Sequence, residues 1–203
     1  YKRQVEFRLL EDRGEPDIGY AAIRLIGERT PTELEEAIAQ LGEQGASRLI
    51  LDLRHNPGGA LMASVDVASQ FLSGSVVLYE QRKDCQEKPY YASVGGSALD
   101  WPLVVLVNGG SASGSEIIAG ALQAQGRAEL VGEKTFGKGS VQHVHDLSDG
   151  SSLHVTVARW LTPHKSHIDD LGLTPDHVIG VSQEDADAGR DPQLDQAIAL
   201  LRP

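Results

Sequence analysis

The sequence has 203 residues, a formal net charge of −11 and 40% hydrophobic residues, which suits one globular domain. So acidic a chain lacks the basic surface that nucleic acids require, and it disfavours docking on anionic membranes. The single cysteine, Cys85, excludes an internal disulfide, and no CxxC or HExxH spacing indicates a metal site. We therefore expect no nucleic-acid partner, no metal and no cofactor.

The chain opens with two predicted strands and a helix. Residues 4–10 and 18–26 have the composition of strands and flank a charged turn. Thr30, followed by Pro31 and Glu33, predicts a helix start with a capping box. The apolar residues of this helix recur at helical spacing and predict one buried stripe, made of Leu34, Ala37, Ile38 and Leu41.

The middle of the chain alternates strands and helices. Residues 48–53 are a nearly continuous apolar run, which is typical of a strand covered on both faces. A helix is predicted over 60–72, a strand over 76–79 and an exposed loop over 80–100. Residues 103–107 (LVVLV) are the strongest candidate for a buried strand.

The last third predicts a helix over 116–125, a short strand over 129–132, and two strands over 139–147 and 152–161 joined by an Asp-Gly hairpin turn. The acidic tail ends in an amphipathic helix over 192–201, which we expect to pack on the body. Alternating strands and helices with antiparallel additions predict a single α/β domain with a mixed sheet.

Two glycine-rich turns follow buried strands, where α/β proteins tend to place their sites. Residues 54–59 (RHNPGG) contain paired glycines, whose backbone N–H groups can approach a ligand and form part of an oxyanion hole. Residues 108–116 (NGGSASGSE) open a helix, whose N-terminus stabilises negative charge. Ser111, Ser113 and Ser115 are all candidates for a nucleophile there, and equally for helix caps and turn residues.

A lysine lies between glycines in residues 132–142 (GEKTFGKGSVQ), just before a predicted strand. Because alternate residues of a strand share a face, Lys138, Ser140 and Gln142 are expected to point the same way. Lys134 and Lys138 are both candidate general bases, although a solvated surface charge is the commoner role of a lysine.

Together these segments resemble the carboxyl-terminal processing peptidases, or tail-specific proteases, of serine peptidase family S41. The family pattern is matched by DLRHNPGG (52–59), SASGSE (111–116) and FGKGSVQ (136–142), in the family's order. The flanks at 9–23 and 160–179 are similar as well, so the resemblance covers nearly the whole chain. It implies an α/β fold of the ClpP/crotonase-like type, with a mixed β-sheet layered with helices.

The resemblance also implies residue roles: Ser113 as nucleophile, Lys138 as general base and Gln142 as the group that positions the lysine. The implied oxyanion donors are backbone N–H groups of the glycine turn and of the residue after the nucleophile, which fall on Gly58 or Gly59 and on Gly114. A lysine is neutral at pH 7 only when it is desolvated, so Lys138 is expected to be buried.

Other functions stay open on the sequence. A Ser-His pair with His55 as the base is one, a non-catalytic binding module on the same fold is a second, and a crotonase-like acyl-CoA enzyme is a third. The resemblance favours a serine endopeptidase whose partners are the C-termini of polypeptide substrates. It also implies export to the periplasm or envelope of a bacterium, allows a homo-oligomer, and places a PDZ domain upstream of residue 1.

Overall fold

The structure is a computed structural model that describes residues 3–202, apart from the side chains of His143, Val144 and His154. The strands are β1 (Val5–Leu10), β2 (Glu15–Ile23), β3 (Arg48–Asp52), β4 (Val76–Arg82), β5 (Glu87–Tyr91), β6 (Leu103–Val107), β7 (Glu129–Gly132), β8 (Ser140–Asp146), β9 (Ser152–Leu161) and β10 (His177–Val178). The helices are α1 (Thr30–Glu43), α2 (Leu61–Ala68), α3 (Gly114–Ala124), α4 (Gln183–Asp187) and α5 (Pro192–Leu201).

A mixed sheet in the order β1-β2-β3-β6-β7-β10 forms the centre of the molecule. Its strands are parallel except for β1, which is antiparallel to β2. Helices α1, α2 and α3 share one hydrophobic core with one face of this sheet, and α5 packs on the opposite face. Every residue of β6 is buried because both faces are covered. The predicted α/β class with a mixed sheet is confirmed.

A second, antiparallel sheet in the order β5-β4-β9-β8 carries the predicted hairpin. The sequence predicted these strands as additions to one sheet, but they form a sheet of their own. Residues 80–100, predicted as an exposed loop, contain the end of β4 and all of β5. The charged and half-exposed residues of these strands lack a clear period-2 pattern, which explains why the sequence did not reveal them.

The pairing of β8 with β9 contains one bulge near the site. Ser140 pairs with Arg159 and Gln142 pairs with Thr156. The extra residue is Val157 on β9, opposite the step from Val141 to Gln142. β8 itself keeps its alternation, so Ser140 and Gln142 lie on the same face of the sheet, as the sequence predicted.

The helix α1 buries the predicted stripe, but its start differs from the prediction. Thr30 is the first helical residue, and the Glu33 carboxylate accepts hydrogen bonds from the backbone N–H groups of Gln4 (2.7 Å) and Val5 (3.2 Å). The capping box is therefore wrong, because Glu33 ties the helix to β1 instead. No helix within residues 3–202 has both the length and the apolar content needed to cross a membrane.

Candidate active site

The glycine turn after β3 is held in place by a buried asparagine. Asn56 donates from Nδ2 to the carbonyl of Ile23 (2.8 Å) and accepts at Oδ1 from the N–H of Gly58 (2.8 Å). Gly58 has φ +94°, and a side chain on Gly59 would collide with the carbonyl oxygen of Ile26, 1.8 Å from an added Cβ. Only glycine fits this close approach of two backbone segments.

A buried ionic network supports the start of the same turn. The Arg54 guanidinium contacts the Asp52 carboxylate (2.8 Å) and forms a bidentate pair with Asp191 at the start of α5 (2.9 Å for each bond). Tyr20 donates to Asp52 (2.5 Å), and burial together with this carboxylate raises the pKa of Tyr20 above its usual range. Against the effect of burial, Arg54 lowers the pKa of the Asp191 carboxyl.

The structure separates the three candidate serines. Ser111 is fully buried and donates to the carbonyl of Leu53 (2.8 Å), and Ser115 is fully buried and donates to the carbonyl of Asn56 (2.7 Å). Both hydroxyls thus join the serine segment to the end of β3 and the glycine turn. Ser113 lies between them and is partly exposed. It is therefore the serine whose hydroxyl can meet a substrate.

The backbone of Ser113 is strained and lies against the glycine turn. Its φ of 53° and ψ of −116° are sparsely populated for a residue with a side chain. A Cβ added to Gly58 would fall 2.8 Å from the Ser113 Cβ and 2.6 Å from the nitrogen of Gly114. The glycine turn and the start of α3 therefore touch, with Ser113 at the junction.

Glu116 joins the serine segment to the lysine segment. Its carboxylate is fully buried, and one oxygen accepts from the backbone N–H groups of both Ser113 (2.9 Å) and Lys138 (2.8 Å). The other oxygen accepts from the Thr135 hydroxyl (2.5 Å) and the N–H of Gly137 (2.7 Å). Two segments that are distant in sequence thus meet on a single carboxylate.

The loop that carries Lys138 is held by hydrogen bonds to β9 and to the segment that follows β9. Gly139 donates to the Asp169 carboxylate (3.1 Å) and accepts from the N–H of Trp160 (2.7 Å). The Lys138 side chain is nevertheless exposed, which contradicts the expectation that it is buried. The glycines around it let the backbone pack closely, but they bring no side chains that would cover the ammonium group.

Gln142 and His55 stand outside the contacts that join Ser113 to Lys138. Gln142 is exposed on the edge strand β8. The His55 ring lies against the Asn108 side chain, with Nε2 3.0 Å from Nδ2, and within residues 3–202 no hydrogen bond joins His55 to Ser113. The geometry therefore gives His55 a partner other than the serine.

Two backbone N–H groups at the junction have no acceptor within residues 3–202. They belong to Gly59 and Gly114, and a Cβ on Gly114 would lie 3.4 Å from the Gly59 nitrogen. Gly58 was the other candidate, but its N–H already donates to Asn56. Gly59 and Gly114 thus lie side by side with unpaired N–H groups, and such a pair of donors can bind one anionic oxygen.

Glu116 and Thr135 are site residues to which the sequence motifs alone gave no role. The spacing of Ser113 and Glu116 is that of a capping box, which was the available signal. A capping box predicts the contact between Glu116 and the N–H of Ser113. It does not predict that the same carboxylate also binds the lysine segment, because that contact depends on tertiary packing.

Residues 17–179 match the sequence profile of peptidase family S41. The chain belongs to this family. It is 43% identical over 200 residues to a carboxyl-terminal-processing protease of Synechocystis sp., and the match covers 97% of this chain and 47% of that protein. It is 44% identical over 159 residues to carboxyl-terminal-processing peptidase 3, chloroplastic, of Arabidopsis thaliana, with 78% and 31% covered.

A solved S41 structure confirms the fold. The photosystem II D1 C-terminal processing protease superimposes with a TM-score of 0.79 at 34% identity, covering 92% of this chain and 51% of that one. The chain thus spans between about a third and a half of the length of these relatives. The S41 resemblance inferred from three motifs is confirmed over most of the chain.

Proposed function

We propose that this chain is the catalytic core of a serine endopeptidase of the carboxyl-terminal processing type, with Ser113 as nucleophile and Lys138 as general base. The observation that carries the proposal is the convergence of the backbone N–H groups of Ser113 and Lys138 on one oxygen of Glu116. The names of the S41 relatives support the class of reaction. They also support substrates that are cut near a polypeptide C-terminus.

The proposed reaction uses the donors and acceptors that lie near the junction of the serine segment and the lysine loop. Neutral Lys138 accepts the hydroxyl proton of Ser113, whose oxygen attacks the scissile carbonyl carbon. The N–H groups of Gly59 and Gly114 bind the resulting oxyanion. Lys138 then returns the proton to the leaving amine as the peptide bond breaks. Water hydrolyses the acyl-enzyme and restores the serine.

The exposure of Lys138 gives the substrate a second role in this mechanism. A lysine acts as a base only when its charged form is destabilised by loss of water. A peptide lying across the junction of the glycine turn and the lysine loop would exclude water from the ammonium group. Gln142, a neutral amide, would hold the lysine there without stabilising its charge as a carboxylate would.

The test compares two lysines of the same loop. Lys134 and Lys138 are both exposed, so Lys134→Ala controls for the loss of a surface charge. We expect Ser113→Ala and Lys138→Ala each to lower kcat for hydrolysis of a quenched fluorescent peptide by about 10⁴-fold or more. Lys134→Ala should keep the activity of the parent chain. Full activity in Ser113→Ala or Lys138→Ala would overturn the proposal.

The rival functions predict different outcomes in the same assay. A Ser-His enzyme would lose its activity in His55→Ala, whereas the Ser-Lys mechanism predicts that His55→Ala stays active. A binding module or an acyl-CoA enzyme would hydrolyse no peptide. We expect a smaller loss in Gln142→Ala than in Lys138→Ala, because Gln142 only positions the base. Action in the periplasm or envelope of a bacterium remains a prediction from the resemblance.

A further inference from the structure

A cavity of about 310 Å³ opens where β4 ends and β9 continues. Three cationic side chains line it, and among the described residues no carboxylate does. We call this cavity the cationic groove; its cations are Arg82, Lys83 and Arg159. The chain as a whole carries a net charge of −11, whereas the lining of this cavity is positively charged.

The two arginines of the cationic groove retain unused donors. Arg82 donates from Nε to Glu80 (3.1 Å), and the Nε of Arg159 lies 3.6 Å from Asp169. Among the side chains that the structure describes, none forms a hydrogen bond with the terminal guanidinium nitrogens of either arginine. Both side chains are more than half exposed, at 63% and 58%. Such a guanidinium can bind a carboxylate through two parallel hydrogen bonds.

A strand edge runs beside the cationic groove. The pairing of β4 with β9 stops at Arg82 and Ala158, while β9 continues back along the hairpin. Residues 155–157 therefore have β8 on one side and, in the described part of the chain, no strand on the other. An extended peptide can pair with such an edge through backbone hydrogen bonds.

A second cavity adjoins the cationic groove. It has a volume of about 490 Å³ and shares the side chains of Arg82 and Val157 with the groove. Its walls also include Glu80, Leu61 at the start of α2, and Val141 on β8. The space beside the groove therefore extends toward the two elements that follow the glycine turn and the lysine loop.

We propose that the cationic groove is a carboxylate-binding subsite for an extended peptide lying along β9. The α-carboxylate of the peptide's C-terminus and the side chain of an aspartate or glutamate share this chemistry. This inference rests on the proposed peptidase function for its substrate class. It assigns to the S41 core itself part of the recognition of the substrate's negative charge.

The experiment measures binding without turnover. Fluorescein-labelled octapeptides of alanine, valine and serine, ending in a free carboxylate or an amide, are titrated at low ionic strength with the Ser113→Ala chain by fluorescence anisotropy. The test variant adds three substitutions that neutralise the groove: Arg82→Gln, Lys83→Gln and Arg159→Gln. The matched control makes the same change of net charge on the β1–β2 side of the molecule: Arg8→Gln, Arg13→Gln and Arg24→Gln.

We expect the free acid to bind the Ser113→Ala chain about tenfold more tightly than the amide, as one charged hydrogen-bonded pair would give. This ratio should fall to about one in the test variant and persist in the matched control. An unchanged ratio in the test variant would overturn the proposal. So would an equal loss in the matched control, or no binding of any peptide.

Two further measurements identify which carboxylate binds, and they distinguish failure of the subsite proposal from failure of the peptidase proposal. The first compares an amidated peptide that has one internal aspartate with the same peptide carrying asparagine at that position. If the aspartate adds affinity and a terminal carboxylate does not, the subsite binds a side-chain carboxylate. Hydrolysis is measured separately with Ser113 intact. If the chain hydrolyses no peptide but still binds the free acid more tightly than the amide, the peptidase proposal is overturned and the subsite proposal stands. If the chain hydrolyses peptide but neither the terminal carboxylate nor the aspartate adds affinity, only the subsite proposal is overturned.

Discussion

The two halves of the candidate site are built differently. The half that carries Ser113, Gly59 and Gly114 follows the carboxyl ends of β3 and β6, the two middle strands of the central sheet, and the buried side chains of Asn56, Ser111 and Ser115 hold it in place. The half that carries Lys138 and Gln142 is a loop that continues into β8 of the second, antiparallel sheet, and both residues are exposed. Their backbones are joined at Glu116, which is fully buried.

This difference separates two tasks of a catalytic site. The nucleophile and the oxyanion donors need fixed positions, and a close-packed interior with satisfied hydrogen bonds provides them. The proposed base, Lys138, needs to lose water, which an exposed loop cannot arrange until something covers it. The serine half is therefore organised in the chain alone, whereas the lysine half depends on what binds over it.

Removing the shared carboxylate should break this arrangement most strongly. In Glu116→Ala, three backbone N–H groups and the Thr135 hydroxyl lose their acceptor, and each buried donor left unpaired costs about 1–3 kcal/mol. A misplacement of roughly 1 Å between reacting groups costs about 10²-fold in rate. We expect kcat for peptide hydrolysis to fall at least that far, with a lowered melting temperature.

The conservative variant distinguishes positioning from mere folding. Glu116→Gln keeps one oxygen acceptor, so we expect it to retain the fold by circular dichroism while kcat falls and KM stays near the parent value. Glu35→Ala, at an exposed position on α1, controls for the loss of a glutamate. Parent kcat in Glu116→Ala would show that the carboxylate does not position Ser113 and Lys138.

A smaller effect is expected at the residue after the nucleophile. A Cβ on Gly114 would fall 2.4 Å from the Ser64 hydroxyl oxygen. Overpacking of this kind costs about 1–3 kcal/mol. Gly114→Ala should therefore move the oxyanion N–H and lower kcat about tenfold, an effect smaller than removal of a donor.

A second substitution tests whether the contact between residue 114 and the Ser64 hydroxyl causes the loss of activity. In Gly114→Ala/Ser64→Ala the hydroxyl that blocks the new methyl group is gone, so kcat and stability should both recover most of the loss. Ser64→Ala alone serves as the reference for the double-mutant cycle. If the double variant were as slow as Gly114→Ala, crowding by Ser64 would not be the cause.

The smallest effect on activity is expected at Asp191, in the ionic network that supports the glycine turn. The pKa of Asp191 is lowered in the folded chain, so its carboxylate stabilises the fold above its unfolded pKa of about 3.9, and this stability is lost as the pH falls through the folded value. Asp191→Asn keeps an acceptor for the N–H of Leu194 but loses the charge opposite Arg54. We expect a loss of about 1–3 kcal/mol at neutral pH.

The pH dependence of unfolding checks the assignment. Urea unfolding of Asp191→Asn should show a weaker fall in stability between neutral pH and about pH 3 than the parent chain does. The kcat at neutral pH should stay within a few-fold of the parent, since Asp191 does not contact the reacting groups. An identical acid profile in the two chains would show that this pair does not contribute to acid sensitivity.

The sequence by itself determined the elements and the candidate segments. The strands β6 and β7 and the helix α5 begin and end as predicted, because continuous apolar runs and helical spacing are local properties. The three motifs predicted which segments meet. Local patterns also left Ser111, Ser113 and Ser115 equivalent, and only the family resemblance chose among them.

The tertiary structure decided what those residues can do. It buries two of the three serines, occupies the N–H of Gly58 and leaves that of Gly59 available. It places the bulge of the hairpin at Val157 on β9 rather than on the strand that carries Gln142, and it leaves Lys138 exposed where burial was expected. Each outcome depends on contacts between residues far apart in the chain, which no window of sequence contains.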